Sequence, residues 1–324
     1  MPSSALRVVV SDAGPLVALG RLGLLHLLPA SSSQLIKVGF RPATTAGPPA
    51  LGTYDAALVP GPAPSNQSTA MKNVKFDFSN FTALVTGGAS GMGAQVARLF
   101  AQAGADVFVV DTNAALAAQT AEAIGAIAMV GDVSDPEFCN RVVADAVART
   151  GRLDAVVNAA GTIARRTGIE TSNEDWQRAM AVNAGGVFYM GRAAARHMRA
   201  HGGGVVVNFG SIWGELGGPG ALAYASSKGA VHQVTRTFAL ELARDGVRFN
   251  CVCPGEVDTP MLRAAGRVVP LNDAQAAEMG QRVVPMGRLA QPQEIAQVAV
   301  FLCSDAASYM TGAMVYVDGG YSTQ

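Results

Sequence analysis

The run Tyr224-Ala-Ser-Ser-Lys228 sets a phenol and an ammonium four residues apart. Positions i and i+4 share a helix face, so the two polar ends can meet. A free tyrosine ionises near ~10 and a free lysine near ~10.4, so neither moves a proton at neutral pH unless its surroundings shift it. Ser211 stands thirteen residues earlier, at the end of an apolar run, and Asp111, Asp132 and Asn158 end or follow other such runs. A phenol beside an ammonium becomes a proton carrier only where the surroundings shift its ionisation. On spacing alone the pair equally fits an ordinary amphipathic helix surface. The elements that carry these residues decide between the two.

Seven short apolar runs recur, at 82–86, 105–110, 126–130, 154–159, 204–209, 247–252 and 313–317, with longer helical patterns between them. Continuous rather than alternating apolar runs suit a parallel sheet buried on both faces. The β-α order therefore predicts an α/β fold, a doubly wound parallel (Rossmann) sheet with right-handed crossovers. Such sheets bind ligands at the C-terminal ends of their strands, which is where the polar residues fall.

The first strand runs into TGGASGMG (86–93) and then a helical pattern. Gly87, Gly91 and Gly93 allow a tight turn and a close approach of backbone to a pyrophosphate, while the helix N-terminus offers N–H groups and partial positive charge. The spacing is GxxxGxG, not the GxGxxG of many dinucleotide sites. Asp111 ends the second run, eighteen residues beyond Gly93, and no basic residue lies beside it in VVDTNAAL. A carboxylate there accepts bonds from the adenosine ribose hydroxyls and repels a 2′-phosphate, which predicts NAD(H). Asp111 or Thr112 can also cap the next helix. Asp132, in GDVSD (131–135), either meets the adenine amino group or caps the helix from Asp135, and the sequence leaves both open.

TGGASGMG, Asp132, NAAG (158–161), Asn183, Ser211, YASSK, PGEVDT (254–259) and DGG (318–320) follow one another in an order that resembles the short-chain dehydrogenase/reductase family over 82–324. The resemblance implies that Tyr224 is the acid/base and that Lys228 and the nicotinamide charge favour its phenolate. An opposite charge within ~4–6 Å typically moves a pKa by about 1–3 units. It implies further that Lys228 holds the nicotinamide ribose, Ser211 bonds the substrate oxygen and Asn183 supports a water-linked proton path. Cofactor contacts would come from Gly87, Ser90, Gly91, Met92 and Gly93, from Asp111, Asp132 and Val133, from Asn158 and Gly161, and from Val257 and Thr259 near the nicotinamide amide. The least regular segment, about 260–290, would be a substrate lid with Met261, Leu262, Met279 and Met286 as apolar wall. Trp213 would flank the substrate or fill the core, and Arg263 and Arg267 would meet an anion or face water.

The expected reaction is hydride transfer between NAD(H) and a secondary alcohol or ketone. A 3-oxoacyl-thioester reductase is the alternative, weakened because Ala89, Ser90 and Asp111 stand where such enzymes carry a basic residue. A sugar or polyol dehydrogenase also fits, and a non-catalytic cofactor-binding protein is the reading from another class. Helices expected at about 173–200 and 222–244 match those through which relatives associate, which implies a homotetramer.

The chain has 324 residues, 49% of them hydrophobic, and zero formal net charge. That suffices for a large core and gives no general attraction to nucleic acid or anionic membranes. No apolar run reaches the ~18 residues of a membrane span, and Val8–Val10 is shorter than a signal-peptide core of ~7–15, so a cytoplasmic protein with a small-molecule partner is expected. Cys139, Cys251, Cys253 and Cys303 form no CxxC pair. Reduced, buried thiols are favoured over a Cys-x-Cys metal site at 251 and 253. The four histidines make no HExxH, and no metal is required.

Composition changes near residue 71. Pro42–Ala70 holds six prolines and a single charge, Asp55, and reads as a linker. Residues 71–324 are expected to form the catalytic domain and 1–70 a poorly ordered extension, with Met71 as the true start. Within it, residues 7–30 resemble the opening strand and helix of a PIN-type nuclease, which would make Asp12 a metal ligand. The further carboxylates such an ion needs do not follow, so nuclease activity is not expected.

Overall fold

The computed structural model describes residues 75–324 apart from 265, 267 and 268, together with two three-residue strands, Arg7–Val9 and Leu35–Lys37, which pair antiparallel. Two compact units divide the chain, Met1–Met71 and Lys72–Gln324. Asp12, the helix expected after it and the proline-rich linker lie outside the described residues.

In the second unit seven strands form one sheet: β1 (Thr82–Thr86), β2 (Asp106–Asp111), β3 (Ile127–Val130), β4 (Ala155–Asn158), β5 (Gly204–Phe209), β6 (Val247–Pro254) and β7 (Met314–Val317). Their spatial order is β3-β2-β1-β4-β5-β6-β7, with every pairing parallel. The order follows from chain physics: valine-rich runs buried on both faces need helical crossovers between them. The chain moves outward from β1 to β3 and then returns to place β4 beside β1, so a crevice opens between the C-terminal ends of β1 and β4.

Helices α1 (Gly91–Gln102), α2 (Ala114–Ile124) and α3 (Pro136–Thr150) link the first four strands. The helix expected at 173–200 is broken into α4 (Asn173–Ala179), a π-helical turn (Met180–Gly185) and α5 (Gly186–Ala200). Next come α6 (Leu222–Leu242), a short α7 (Pro260–Ala264), α8 (Asp273–Val283) and α9 (Pro292–Cys303). The segment expected to be least regular thus carries an eleven-residue helix. Its start is fixed by a reciprocal capping box: Asn272 accepts from the Gln275 backbone, and the Gln275 side chain accepts from the Asn272 N–H.

Two caps differ from those the sequence offered. The N-cap of α2 is Asn113, whose Oδ1 accepts from Leu116 N at 3.1 Å, rather than Asp111 or Thr112. Asp135 caps α3, which leaves Asp132 out of that role. Both choices leave the Asp111 and Asp132 carboxylates out of helix capping. The core fills both faces of the sheet, with Val96, Phe100 and Ile295 on one side and Phe108, Met190 and Phe249 on the other. Phe100 is fully buried, and burial of such a side chain stabilises the fold by about 1.5–3 kcal/mol.

Candidate active site

Gly87 leaves β1 with φ +63°, and a Cβ there would lie 2.7 Å from the Ala160 backbone beyond β4. A Cβ on Gly93 would lie 2.2 Å from the Gly87 carbonyl oxygen. Only glycine lets this turn close so tightly. Ser90 is the N-cap of α1 but does not turn its hydroxyl onto the first-turn N–H groups, and no acidic side chain stands in that turn. An anion therefore meets free donors and the positive end of the helix. Thr259 faces the turn from the far wall: its Cγ2 is 3.6 Å from where a Gly91 Cβ would be. Its hydroxyl accepts from Leu262 N, which starts α7 over the cleft, and Val257 is buried beside it.

The Asp111 carboxylate is held at the edge of this cradle. Its Oδ2 accepts from Ala89 N in the glycine turn at 3.2 Å, and its Oδ1 accepts from Asn113 N at 3.0 Å. The Asp132 Oδ1 accepts from Ser134 N at 2.8 Å, which shapes the turn after β3, while Val133 packs into Gly186 of α5. These features fit a dinucleotide: a donor-rich helix start for the pyrophosphate, with a fixed carboxylate at the end of β2 for the ribose.

Asn158 is not aimed at the cleft. Its Nδ2 donates to Asn208 Oδ1, and Asn208 Nδ2 donates to Thr235 Oγ1, each at 2.9 Å, a buried polar ladder that ties β4, β5 and α6 together. Gly161, three residues on, does line the cleft. Asn183 sits in the π-turn, fully buried. Its Oδ1 accepts from Thr162 N at 2.8 Å, and its Nδ2 donates to Thr162 O and to Ser227 Oγ. The π-turn thus aims Asn183 sideways to clamp the Gly161–Thr162 turn onto α6.

The cleft brings Gly161, Ser211, Tyr224 and Lys228 together with Met92, Val257 and Thr259. Burial drives the Tyr224 phenol up to about 12, a hydrogen bond with the Ser211 hydroxyl pulls it back, Glu256 pushes it higher and Arg165 lowers it. Without the nicotinamide charge that the expected lowering also invoked, the phenol stands above its ordinary value. The Lys228 Nζ lies 5.5 Å from the Tyr224 ring centroid and donates to the Phe209 carbonyl at 2.6 Å. Burial brings Lys228 itself down to about 8, partly offset by Cys251 and Cys253. In the protein alone desolvation outweighs the attraction, because both groups sit in the same dry wall.

Trp213 lines the cleft rather than the core, edge-on to Tyr224 at 6.2 Å between ring centroids. The Arg165 guanidinium lies over its other side, 4.7 Å from the ring centre. Of the expected lid wall, Met261 and Leu262 line the cleft. Met279 packs behind Leu262, and Met286 stands at a separate hollow beside Asp318. Arg263 is not offered to a substrate anion: it pairs with Asp258 (2.8 Å) and Asp273 (2.7 Å). Arg267 lies outside the described residues. Sequence reasoning missed Ile163, Arg165 and Glu256 as lining residues. Glu256 was visible inside PGEVDT, but the loop carrying Ile163 and Arg165 has no period that signals which side chains turn inward.

A dinucleotide cradle that opens onto a buried phenol with a hydroxyl and an ammonium at hand defines a class: an oxidoreductase that works with a nicotinamide cofactor. Comparison with known proteins narrows it. A family model described as enoyl-(acyl carrier protein) reductase matches residues 87–322. The galactitol 2-dehydrogenase (L-tagatose-forming) of Cereibacter sphaeroides is 40% identical over 76% of this chain and 97% of its own. The cyclopentanol dehydrogenase of Comamonas testosteroni is 39% identical over 74% and 96%, and a 3-oxoacyl-(acyl-carrier-protein) reductase of Thermotoga maritima is 37% identical over 73% and 96%. The crystal structure of gox2181 superposes with a TM-score of 0.71 at 34% identity, covering 77% of this chain and 98% of that one. The chain belongs to the short-chain dehydrogenase/reductase family, oxidoreductases of alcohols and ketones. Among the described residues no helix is long and apolar enough to cross a membrane.

Proposed function

We propose that this protein is an NAD(H)-dependent dehydrogenase of an uncharged secondary alcohol, with Tyr224 as the group that moves the proton. The observation that carries the cofactor choice is the Asp111 carboxylate, fixed against the glycine turn through Ala89 N, where a 2′-phosphate would meet its charge. A bound oxidised nicotinamide supplies the hydride acceptor and a positive charge that offsets the burial of Tyr224. The Ser211 hydroxyl orients the substrate oxygen beside the phenol, and Tyr224 takes the alcohol proton or returns it to the ketone. Lys228 supports the charged phenol from below, and Asn183 acts as a positioning residue that fixes the Gly161–Thr162 turn.

Ile163, Trp213, Met261 and Leu262 make the substrate wall largely apolar, which supports a cyclic or aliphatic alcohol. A polyol is the second reading. It is favoured by Arg165 and Glu256, which both act on Tyr224 from the same wall, and by the likeness to a galactitol dehydrogenase. Purified protein would be followed by NADH absorbance with cyclopentanol, galactitol and related alcohols, each with NAD⁺ and NADP⁺. Turnover with NAD⁺ that disappears in Tyr224→Phe supports the proposal. Turnover confined to NADP⁺ overturns the reading of Asp111 and favours an acyl-thioester reductase. NADH binding without turnover on any ketone or alcohol supports a non-catalytic role. A cytoplasmic homotetramer is the assembly this reading carries, and light scattering that finds a monomer at micromolar concentration refutes it.

A further inference from the structure

Behind the Ser211 wall, β6 turns Cys251 and Cys253 to one face and α6 brings His232 against them. Cys253 Sγ is 3.3 Å from His232 Nε2 and 3.8 Å from Cys251 Sγ, and the three atoms all lie within 4.8 Å of one another. Both cysteines are fully buried and His232 is 1% exposed. Zinc bonds of ~2.3 Å to sulfur and ~2.0–2.1 Å to nitrogen give tetrahedral edges of about 3.8 Å between sulfurs and about 3.5 Å from sulfur to nitrogen. Two edges of such a site are therefore already close to length. The third has room to close. A Cβ on Gly210 would lie 2.6 Å from both Cys251 Sγ and His232 Nε2, and one on Gly214 would lie 2.5 Å from His232 Cε1. Glycine at both positions keeps the space around the imidazole open. The His232 Nδ1 has no hydrogen-bond partner among the described residues, and the ring is held by the Cys253 thiol and the Ser211 backbone.

We propose that Cys251, Cys253 and His232 bind one thiophilic d10 cation, Zn²⁺ or Cu⁺. Soft thiolate ligands with an imidazole select these ions over hard ones. With Zn²⁺ two thiol protons leave, the buried site is neutral, and one further ligand completes the tetrahedron. With Cu⁺ the three ligands suffice, and the single negative charge left over lies within electrostatic reach of Lys228. His232 stands one turn beyond Lys228 on α6, so the cation pins α6 to β6 directly behind the proposed proton-transfer group.

The full-length protein is stripped with chelator under a phosphine reductant. It is then titrated with Co²⁺, Zn²⁺ or Cu⁺, both in the native state and during refolding from urea, because the ligands are buried. One equivalent is expected. Co²⁺ should give thiolate charge-transfer absorption with tetrahedral visible bands, displaced by Zn²⁺. Retention of Cu⁺ alone against a chromophoric chelator identifies the monovalent form of the same site. Cys253→Ser and His232→Gln should weaken binding at least ~100-fold, more than loss of an outer-shell partner does, while Cys303→Ser leaves it unchanged. Failure to retain any equivalent after refolding overturns the proposal, as does equal retention in Cys253→Ser and His232→Gln. If these variants do not fold, X-ray absorption of the loaded native protein decides: two sulfurs and one nitrogen, joined for Zn²⁺ by one further light donor, support the site, and any other number of sulfurs refutes it.

Discussion

Replacing Lys228 with methionine should abolish turnover and at the same time relieve the fold of a penalty. The side chain is 4% exposed and its ammonium donates to Phe209 O. Burial draws its pKa from 10.5 to about 8, so keeping it charged at neutral pH costs about 3 kcal/mol. Methionine keeps the apolar stem and removes the charge, but strands the Phe209 carbonyl at a cost of about 1–3 kcal/mol. The variant is expected to match or exceed the wild type by up to about 2 kcal/mol at pH 7. The pH dependence is sharper than that difference. Between pH 8 and 10.5 the folded wild type binds fewer protons at Lys228 than the unfolded chain, so its stability rises with pH and is lost again as pH falls through 8. The slope approaches about 1.4 kcal/mol per pH unit, a gain of about 2 kcal/mol from pH 7 to 9.5 that the variant lacks. Tyr224 acts oppositely and later: with its pKa raised to about 12, stability declines only above about 10. Urea unfolding of both proteins at pH 6.5 to 9.5, without cofactor, reads the difference directly. Parallel stability profiles for the two would refute the claim that Lys228 is held charged against its burial.

Tyr224→Phe is expected to lower turnover by about 10²–10⁴-fold with NADH affinity intact, checked by stopped-flow and fluorescence titration. Asp111→Ala should reduce the preference for NAD⁺ over NADP⁺ by at least about tenfold in kcat/KM, since about 1.4 kcal/mol is one decade; an unchanged ratio would place the selectivity elsewhere. Asn208→Ala orphans Asn158 Nδ2 in the core, while the Thr235 hydroxyl keeps its bond to Val231 O, and should cost about 1–3 kcal/mol in urea unfolding. Deletion of residues 1–70 should leave kcat unchanged if the catalytic unit begins at Met71.

The sheet was legible because its evidence is local: the five inner strands are runs of largely buried apolar residues, and all seven fall within two residues of the runs read from the sequence. The glycine turn and the Tyr224–Lys228 pair were equally plain, since both are fixed by spacing on one element. What escaped was decided across elements. Asn158 looks like a cleft residue by position, yet its amide is drawn sideways by Asn208 on the neighbouring strand. Arg263 looks like an anion contact until Asp258 and Asp273 are seen to take it. His232 carries no motif with Cys251 and Cys253, because α6 and β6 meet only in the fold.

The pKa shifts of the cofactor-free protein were hidden from the sequence for the same reason. A sequence shows that Tyr224 and Lys228 are close and oppositely charged when ionised, but not how much water both have lost. With the phenol raised to about 12 and the ammonium lowered to about 8, the protein alone at neutral pH keeps the phenol protonated and the ammonium charged at a cost. A site that disfavours its working charge state until a cationic ring enters has its proton carrier ready only when the hydride acceptor is in place. That coupling requires the dry wall formed by Trp213, Phe209 and the end of β6, so the burial that weakens the pair in isolation is what ties proton transfer to cofactor binding. Tyrosine absorbance near 295 nm is expected to place Tyr224 near 12 in the free protein and lower with NAD⁺ bound, using Tyr224→Phe as the blank. No displacement on adding NAD⁺ would break the coupling.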